Sequence, residues 1–372
     1  MTQEDILKAL SNVQEPDLGK DLVTLNMVKD ILINGNNVSF TVVLTTPACP
    51  LKELIKNACI NAVKILVDKE AEVSVTFTSN TTTNRKDNKN VLSGVKNIIA
   101  VVSGKGGVGK STIASNLALA FADGGAKVGL MDADIYGPSV HIMFGVRGER
   151  PMMKEVNGKG IIVPLERYGI KLMSIGLLVD EKQAVVWRGP MVSSAIRQFV
   201  TEVDWGDLDY LVIDMPPGTG DIHLTIVQTV PVTGVIVVTT PQLVALADAK
   251  KGIAMFSQAA LKVPVIGLVE NMSYFIPPNG GTELPGNKYF IFGKDGGKNL
   301  ATEFDIPFLG QIPLVQSIRE GGDLGVPVMM SDDEISKQAF IDFAGNAARG
   351  IAMLNAEMPA TEVSEVLEVS GG

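Results

Sequence analysis

A glycine-rich segment with two lysines is the part of the sequence best suited to chemistry. It reads Gly104-Lys105-Gly106-Gly107-Val108-Gly109-Lys110-Ser111, which satisfies the pattern G-x-x-x-x-G-K-[ST]. Its glycines allow backbone N–H groups to converge on phosphate oxygens, and the N-terminus of a following helix adds partial positive charge. Lys110 would bridge the β and γ phosphates, and Ser111 would ligate magnesium. The segment therefore predicts a binding loop for ATP and Mg²⁺.

Three aspartates at the ends of apolar runs predict the magnesium side of the same site. Asp132 and Asp134 follow one run, and Asp214 ends another. The carboxyl ends of parallel strands border the ligand crevice, so these carboxylates should meet the phosphates. We expect Asp132 and Asp214 to lie on the magnesium side, Asp214 through water, and Asp134 to orient the attacking water. Helix capping is the alternative role for Asp132 and Asp134.

The stretch after Asp214 reads Met-Pro-Pro-Gly-Thr-Gly-Asp and predicts a switch loop. Glycine-containing backbone at such a position can respond to the γ phosphate. We expect Gly218 to donate its N–H to phosphate.

The elements that must position these residues follow from the apolar pattern. From Val95 onward, short β-branched runs alternate with helical segments, which is typical of a parallel sheet covered by helices on both faces. The runs are Ile98 to Val102, Val128 to Met131, Leu211 to Ile213, Val235 to Val238 and Val265 to Val269. We therefore predict an α/β fold with a doubly wound, mostly parallel sheet over residues 96–353.

The first 79 residues predict a separate small α+β domain. The predicted elements are a helix over Glu4 to Leu10, strands near Met27 to Ile33 and Val38 to Leu44, a helix over Leu51 to Val67 and a strand over Val73 to Phe77. Residues 80–95 are polar around their middle and predict the domain linker. Residues 354–372 are acidic and rich in small side chains, so we expect a disordered tail.

Composition narrows the class of function. Hydrophobic residues make up 46% of the chain and charged residues 20%, as in ordinary globular proteins. A net charge of −9 argues against a broad nucleic-acid surface, and no apolar stretch is long enough to cross a bilayer. The N-terminus is acidic where a secretory signal would be basic. We expect a cytoplasmic protein that binds neither nucleic acid nor membrane.

The phosphate loop resembles a known variant because Lys105 lies inside it. The spacing KGGVGKS resembles the deviant Walker A loop of the family that includes nitrogenase iron protein, MinD and ParA partition ATPases. The resemblance implies that Lys105 reaches across a nucleotide-sandwich homodimer to the ATP of the partner chain. Lys105, Lys110 and Asp134 are then the expected catalytic residues.

Further runs narrow the resemblance to one branch. These are Asp134-Ile135-Tyr136-Gly137-Pro138-Ser139, Trp187-Arg188-Gly189-Pro190-Met191, the DMPPGTGD run that starts at Asp214, and Glu270-Asn271-Met272-Ser273, and together they resemble the Mrp/ApbC iron–sulfur cluster carrier ATPases. The N-terminal unit, with Thr45 to Pro50 before its second helix, is similar to an iron–sulfur assembly domain. The resemblance implies that Asn271 reads the adenine ring; a structural turn is the alternative. It also implies client or assembly proteins as partners.

The sequence departs from that family at the cluster ligands. Cluster-carrying members place a CxxC pair shortly after the Asn-Met motif, whereas this chain has Pro277 and Gly280 at those positions. The cysteines of this chain are Cys49 and Cys59, both in the N-terminal unit. Cys49 lies beside a predicted helix start, where the helix dipole lowers a thiol pKa, and is the candidate cluster ligand. Cys59 is expected to behave as a small buried hydrophobe.

Three functions remain open at this point. The leading hypothesis is an ATPase that slowly hydrolyses ATP while carrying or assembling iron–sulfur clusters. A second is a metal-free ATPase whose nucleotide cycle only clamps a client protein. A third is a spatial organiser similar to MinD or ParA, although the acidic tail lacks the basic amphipathic helix that membrane binding needs.

Overall fold

The computed structural model describes residues 1–85, 91–179, 189–257, 261, 263–277 and 288–357. The N-terminal part forms the predicted α+β domain. Its elements are α1 (Gln3–Leu10), β1 (Gln14–Glu15), β2 (Lys20–Asp21), β3 (Val28–Asn34), β4 (Asn37–Leu44), α2 (Lys52–Leu66) and β5 (Glu72–Ser79). β4 is the central strand of a three-stranded sheet, antiparallel to β3 and parallel to β5. The side chains of β4 alternate between buried and half-exposed because α1 and α2 cover only one face of the sheet.

The larger part of the chain is built on a second sheet. The strands of this part of the chain are β6 (Val95–Val102), β7 (Val128–Asp132), β8 (Met152–Val156), β9 (Lys159–Val163), β10 (Leu165–Arg167), β11 (Ile170–Ser174), β12 (Leu208–Asp214), β13 (Gly234–Thr239), β14 (Val265–Glu270) and β15 (Phe308–Gln311). Two of them, β8 and β9, lie outside the main sheet. The described residues form this sheet in the order β10-β11-β7-β12-β6-β13-β14-β15. Neighbouring strands are parallel except for the β10–β11 pair.

Helices cover both faces of the sheet. They are α3 (Lys110–Asp123), α4 (Val140–Met143), α5 (Gly189–Thr201), α6 (Asp221–Thr229), α7 (Leu243–Phe256), α8 (Gly296–Glu303), α9 (Gln316–Leu324) and α10 (Glu334–Glu357). α3 and α10 pack in the core on one face, and α5 to α8 pack in the core on the other. The doubly wound, mostly parallel sheet is therefore confirmed, and its central strands are continuously apolar because both of their faces are buried.

The structure contains strands that the sequence analysis did not predict. β8 and β9 form an exposed antiparallel ribbon, and β11 and β15 extend the two sides of the main sheet. β8 is exposed along its whole length and lacks the apolar run of a buried strand, although Ile162 of β9 is buried in the core of the main domain. β15 is short and contains Gly310, which weakens a strand pattern.

Two predicted boundaries need correction. α10 continues to Glu357, so the predicted tail cannot start at residue 354; residues 358–372 lie outside the described part of the chain. The first part of the predicted linker is bound to the main domain, since the Thr82 carbonyl accepts bonds from Asn97 Nδ2 at 2.9 Å and Asn355 Nδ2 at 3.0 Å. Residues 86–90 of that linker are also outside the described residues.

The N-terminal domain contacts the end of the main sheet that lies away from the phosphate loop. Thr46 Oγ1 is 2.8 Å from the buried hydroxyl of Tyr210, and Asp17 forms an ion pair with Arg349. A Cβ added to Gly124, just after α3, would lie 3.0 Å from the Ala48 side chain, so the glycine permits this close approach. The loop that carries Cys49 is thus held at the far end of α3.

None of the helices in the described ranges combines the length and apolarity that crossing a bilayer requires.

Candidate functional site

The phosphate loop connects β6 to α3 at the carboxyl edge of the main sheet. Gly107 and Gly109 have positive φ values of 84° and 83°, which side chains rarely adopt, so these two positions require glycine. Gly104 is needed for another reason: a Cβ there would meet the Asp248 carbonyl of α7 at 2.2 Å. The loop is therefore shaped by backbone geometry and by α7 together.

Lys110 opens α3 and lies among carboxylates. Its Nζ is 2.5 Å from Asp214 Oδ1 and 3.8 Å from Asp134 Oδ2. The Ser111 hydroxyl is 3.3 Å from the same nitrogen. Strand β6 leads into the loop and neighbouring β12 ends at Asp214, which explains why the lysine and carboxylate meet. The structure thus brings four predicted site residues together.

Asp214 has an unusual environment for a carboxylate. It is 0% exposed, and its Oδ2 atom is buried without a hydrogen-bond partner in the described part of the chain. A buried carboxylate oxygen is stable only when a donor or a cation satisfies it. Oδ2 of Asp214 is therefore suited to a cation or to an ordered water.

Asp132 is fully buried at the end of β7, beside Asp214 in the sheet register. Ser174 Oγ donates to its Oδ2 at 2.9 Å, and the Asp134 N–H donates to its Oδ1 at 3.1 Å. Burial, together with the negative charge of Asp214, raises the pKa of Asp132 to about 7. This carboxyl group can therefore hold a proton near neutral pH even with the Lys110 charge nearby.

Asp134 is closer to the surface than the other two aspartates. Burial raises the pKa of Asp134, while the nearby Lys110 charge lowers it. Its Oδ1 accepts a weak bond from the Gly137 N–H at 3.3 Å. The carboxylate borders the phosphate loop without being tied to the backbone on both oxygens.

Gly218 lies in the switch loop with a φ of 95°. Its N–H donates to the Ser103 carbonyl at 2.9 Å, so in this structure the switch loop is bonded to the start of the phosphate loop. Donation from Gly218 to a phosphate would replace that bond. The phosphate contact stays a prediction.

Asn271 follows β14 and is also tied to the phosphate loop. Its Nδ2 donates to the Val108 carbonyl at 2.8 Å, and its own N–H donates to Thr239. The preceding Glu270 is 0% exposed and accepts bonds from the Ser273 hydroxyl, the Gly297 N–H and Gln311. Asn271 is thus held on a well-bonded turn beside the phosphate loop, and its contact with the adenine ring stays a prediction.

Lys105 differs from Lys110 in its environment. Its side chain is exposed, and no described residue forms an ion pair or side-chain hydrogen bond with it. Its carbonyl accepts a bond from Ser103 Oγ at 3.0 Å, which fixes the backbone while the ammonium group points outward. This position permits contact with a second molecule.

The cysteines do not lie at this site. Cys49 is held at the far end of α3, and a helix of that length spans about 20 Å. The expectation of a lowered thiol pKa is wrong, because burial and then the charges of Glu15 and Asp17 raise the pKa of Cys49. The N–H of Leu51, the residue just before α2, does lower the pKa of Cys49, but burial has the larger effect.

Cys59 is fully buried in the core of the N-terminal domain, and burial raises its pKa to about 12. In the described ranges no set of three or more His, Cys, Asp or Glu side chains is arranged to hold a metal ion. Pro277 is described, whereas position 280, the other family cysteine position, lies outside the described residues.

Sequence analysis missed two residues that shape the site. Ser174 bonds to Asp132, and Ser103 bonds to both the switch loop and the phosphate loop. Ser103 directly follows the predicted run Ile98 to Val102, so the rule that identified the aspartates could also have found it, whereas Ser174 ends β11, which the sequence did not predict.

Comparisons with known proteins agree with this geometry. Residues 94–348 match the family model described as NUBPL iron-transfer P-loop NTPase, and residues 3–76 match that of the iron–sulfur cluster assembly protein family. An iron–sulfur cluster carrier protein of Synechocystis sp. is 49% identical over 95% of this chain and 99% of its own length. One from Deinococcus radiodurans is 43% identical over 94% of this chain and 95% of its own.

A solved structure is also similar. The nucleotide-binding protein of Archaeoglobus fulgidus in complex with ADP has 37% sequence identity and a TM-score of 0.57, and the match covers 70% of this chain and 97% of that one. The family predicted from the sequence motifs is therefore confirmed. This chain is a nucleotide-binding protein that belongs to the NUBPL iron-transfer P-loop NTPase family and carries an N-terminal iron–sulfur assembly domain.

Proposed function

We propose that this protein binds ATP with Mg²⁺, hydrolyses it slowly as a homodimer, and uses that cycle to carry or assemble iron–sulfur clusters for client proteins. The observation that carries the nucleotide part is the position of Lys110 between Asp214 and Asp134, at the start of α3. The cluster part is supported by the two families that the chain matches.

The residues present fit a magnesium ion. Asp214 Oδ2 is buried without a partner, and Asp132 is a buried carboxyl group whose pKa is raised. Ser111, Asp132 and Asp214 would hold the ion or its water, with oxygen ligands of the kind that Mg²⁺ prefers. When bound, Mg²⁺ would neutralise charge on the β and γ phosphates.

Lys110 would exchange partners when ATP binds. Its ammonium group would leave Asp214 Oδ1 and bridge the phosphates, while Asp214 turned to the magnesium side. The glycines of residues 104–109 would supply backbone N–H groups to the phosphate oxygens, and Gly218 would add its own after leaving Ser103. Asn271 would contact the adenine ring through the amide group already held against Val108.

Hydrolysis would need Asp134 and Lys105. Asp134 would orient the attacking water, since it borders Lys110 without being locked to the backbone. Lys105 would reach the ATP of the partner chain, which its exposed side chain permits. ATP would then favour the dimer because it supplies part of the interface.

The cluster would be cargo rather than a resident group. Each chain offers Cys49 and Cys59, and the latter is buried with a raised pKa. Cys49 is then the candidate ligand, together with nonthiolate ligands or thiols from a client or assembly protein. We place this activity in the cytoplasm, without nucleic acid or membrane, in keeping with the net charge of −9.

A specific observation favours a second candidate function. Cys49 is half-buried against the core of the N-terminal domain and its pKa is raised, which disfavours the thiolate that binds iron. The protein would then be a metal-free ATPase whose nucleotide cycle clamps and releases a client.

Anaerobic reconstitution separates the two candidates. Iron and sulfide are counted and a visible spectrum is recorded for the wild-type chain, for Cys49→Ser and for the matched control Cys59→Ser. The carrier proposal expects a labile cluster that is lost in Cys49→Ser and kept in Cys59→Ser. A wild-type chain that takes up no iron, alone or with a thiol-bearing acceptor protein, would favour the metal-free clamp.

A further inference from the structure

The free edge of strand β5 is the feature that the nucleotide site does not use. β5 is the last strand of the N-terminal sheet, and no described strand or bridge pairs with the side that faces away from β4. The strand contains eight residues with no proline, and Glu72 is its one charged side chain. A long edge strand of this composition can accept another strand by backbone hydrogen bonding.

The hydrogen-bonding groups of this edge can be assigned to individual residues. The N–H of Glu72 donates to the Asn36 carbonyl at 2.9 Å, and that of Asn80 donates to Leu44 at 2.9 Å, both on the β4 side. Successive residues alternate and the ladder with β4 has no register break. The N–H groups of Val73, Val75 and Phe77 therefore point to the free edge.

The side chains beneath this edge leave an apolar strip uncovered. Val73, Val75 and Phe77 face the core side of the sheet but are only half-buried. Their partners on β4 are covered, with Phe40 2% and Val42 0% exposed. An added strand would cover this strip.

The opposite edge of the same sheet is protected. The pairing of β3 with β4 has a register break between Lys29 and Leu32. Within that break, Asp30 has a positive φ of 50°, and both Lys29 and Asp30 are exposed. Bulges and charges of this kind prevent strand addition. The difference between the two edges makes β5 the available one.

The charge next to the edge indicates the chemistry of the partner. Lys52 Nζ lies 5.5 Å from the centre of the Phe77 ring, so the first turn of α2 places an ammonium group over the apolar strip. Lys56 follows one turn later, where it pairs with Glu53 at 3.4 Å. Lys52 has no acidic partner in the described part of the chain. An acidic side chain on the added strand would supply one.

We propose that the free edge of β5 binds an extended segment of a client protein whose side chains on the helix-covered face are apolar apart from one acidic residue. The segment would add as a fourth strand, with apolar side chains beside Val73 and Val75 and, on the same face, a carboxylate near Lys52. This inference rests on the proposed function only where it assigns the segment to a client protein. Binding is measured without nucleotide or cluster, so failure here is distinguishable from failure of the carrier function.

Amide exchange on the full-length protein tests the proposal. The probe is a synthetic ten-residue peptide of alternating Val and Thr in which one central Val is replaced by Glu, and its control is the same peptide with N-methylated amides. The peptide should slow exchange at Val73, Val75 and Phe77 by roughly fivefold or more, because their N–H groups become hydrogen-bonded. The amides of Ser74 and Thr76, which face β4, should not change.

A charge variant tests the role of the lysine. Lys52→Glu should weaken the peptide roughly threefold or more, whereas Lys8→Glu should leave its affinity unchanged. Lys8 is an exposed lysine of α1, a helix that packs on α2 and β3, so Lys8→Glu makes the same charge change on a different helix. Three results would overturn the proposal: no slowing at the three amides, equal slowing by the N-methylated peptide, or full protection of those amides before peptide is added.

Discussion

Lys110 Nζ and Asp214 Oδ1 are 2.5 Å apart, and both side chains are buried at the carboxyl edge of the main sheet. The ion pair gives the Lys110 ammonium group a partner when phosphate is absent. The second carboxylate oxygen of Asp214, Oδ2, has no hydrogen-bond partner among the described residues. A buried ion pair of this kind contributes little net stability, but removing one partner leaves an uncompensated charge. The nucleotide site is therefore held ready by an interaction that ATP and Mg²⁺ would replace.

Lys105→Ala should impair ATP-dependent dimerisation and turnover more than ATP binding by the monomer. The exposed side chain has no described partner within its own chain, so its loss should leave the loop intact. Sedimentation with a nonhydrolysable ATP analogue measures the dimer, and Lys127→Ala is the control for loss of an exposed lysine. A normal monomer–dimer equilibrium with normal turnover would reject the nucleotide-sandwich mechanism.

Asp134→Ala should leave ATP bound but stop its hydrolysis, since the proposed role is to orient water. Asp214→Ala should also weaken the dependence of binding on Mg²⁺, because it removes the buried oxygen that lacks a partner. Magnesium titrations of ATP binding and single-turnover hydrolysis separate these effects. Equal loss of nucleotide affinity in both variants would mean that the two roles are wrongly divided.

Cys49 should react slowly with iodoacetamide at neutral pH. Its pKa is raised, so the reactive thiolate is scarce at pH 7 and its fraction increases as the pH rises towards that pKa. The alkylation rate should therefore still be climbing at pH 9, measured in Cys59→Ser so that Cys49 alone is followed. A rate that is already constant above pH 8 would show that the thiol pKa is lowered instead.

The contact between the domains can be tested at Tyr210. Its hydroxyl is 2.8 Å from Thr46 Oγ1, and its ring stacks on Phe121 with centroids 4.4 Å apart. Tyr210→Phe keeps the ring and removes the bond, so unfolding should become easier by about 1 kcal/mol. Chemical denaturation measures this, with Tyr136→Phe as the exposed control. No difference between the variants would mean that this bond does not contribute to docking.

Much of the site could be predicted because its chemistry follows from strand ends. Asp132 and Asp214 each end a buried run, and parallel strands place such ends at one edge of the sheet. Gly109 was predictable from the loop pattern and proves to need its positive φ. These inferences depend on local sequence and on one rule about sheet geometry.

Other features depend on contacts between distant parts of the chain. The raised pKa of Cys49 arises from burial against the core of the N-terminal domain and from Glu15 and Asp17, whereas the sequence suggested only a nearby helix start. The bond between Gly218 and Ser103 joins two loops far apart in sequence. No periodic pattern encodes such contacts, so the thiol pKa and the state of the switch loop required the structure.

Calorimetric titration of Mg·ATP into wild type and Lys110→Ala tests the nucleotide assignment most directly. Lys110 is the side chain that the structure places between Asp214 and Asp134, and charge-assisted hydrogen bonds to phosphate contribute roughly 1.5 to 3 kcal/mol each. We expect a loss of several kcal/mol in binding free energy for Lys110→Ala and almost none for Lys127→Ala, with both variants folded by circular dichroism. An unchanged affinity in folded Lys110→Ala would contradict the assignment of this loop as the phosphate site.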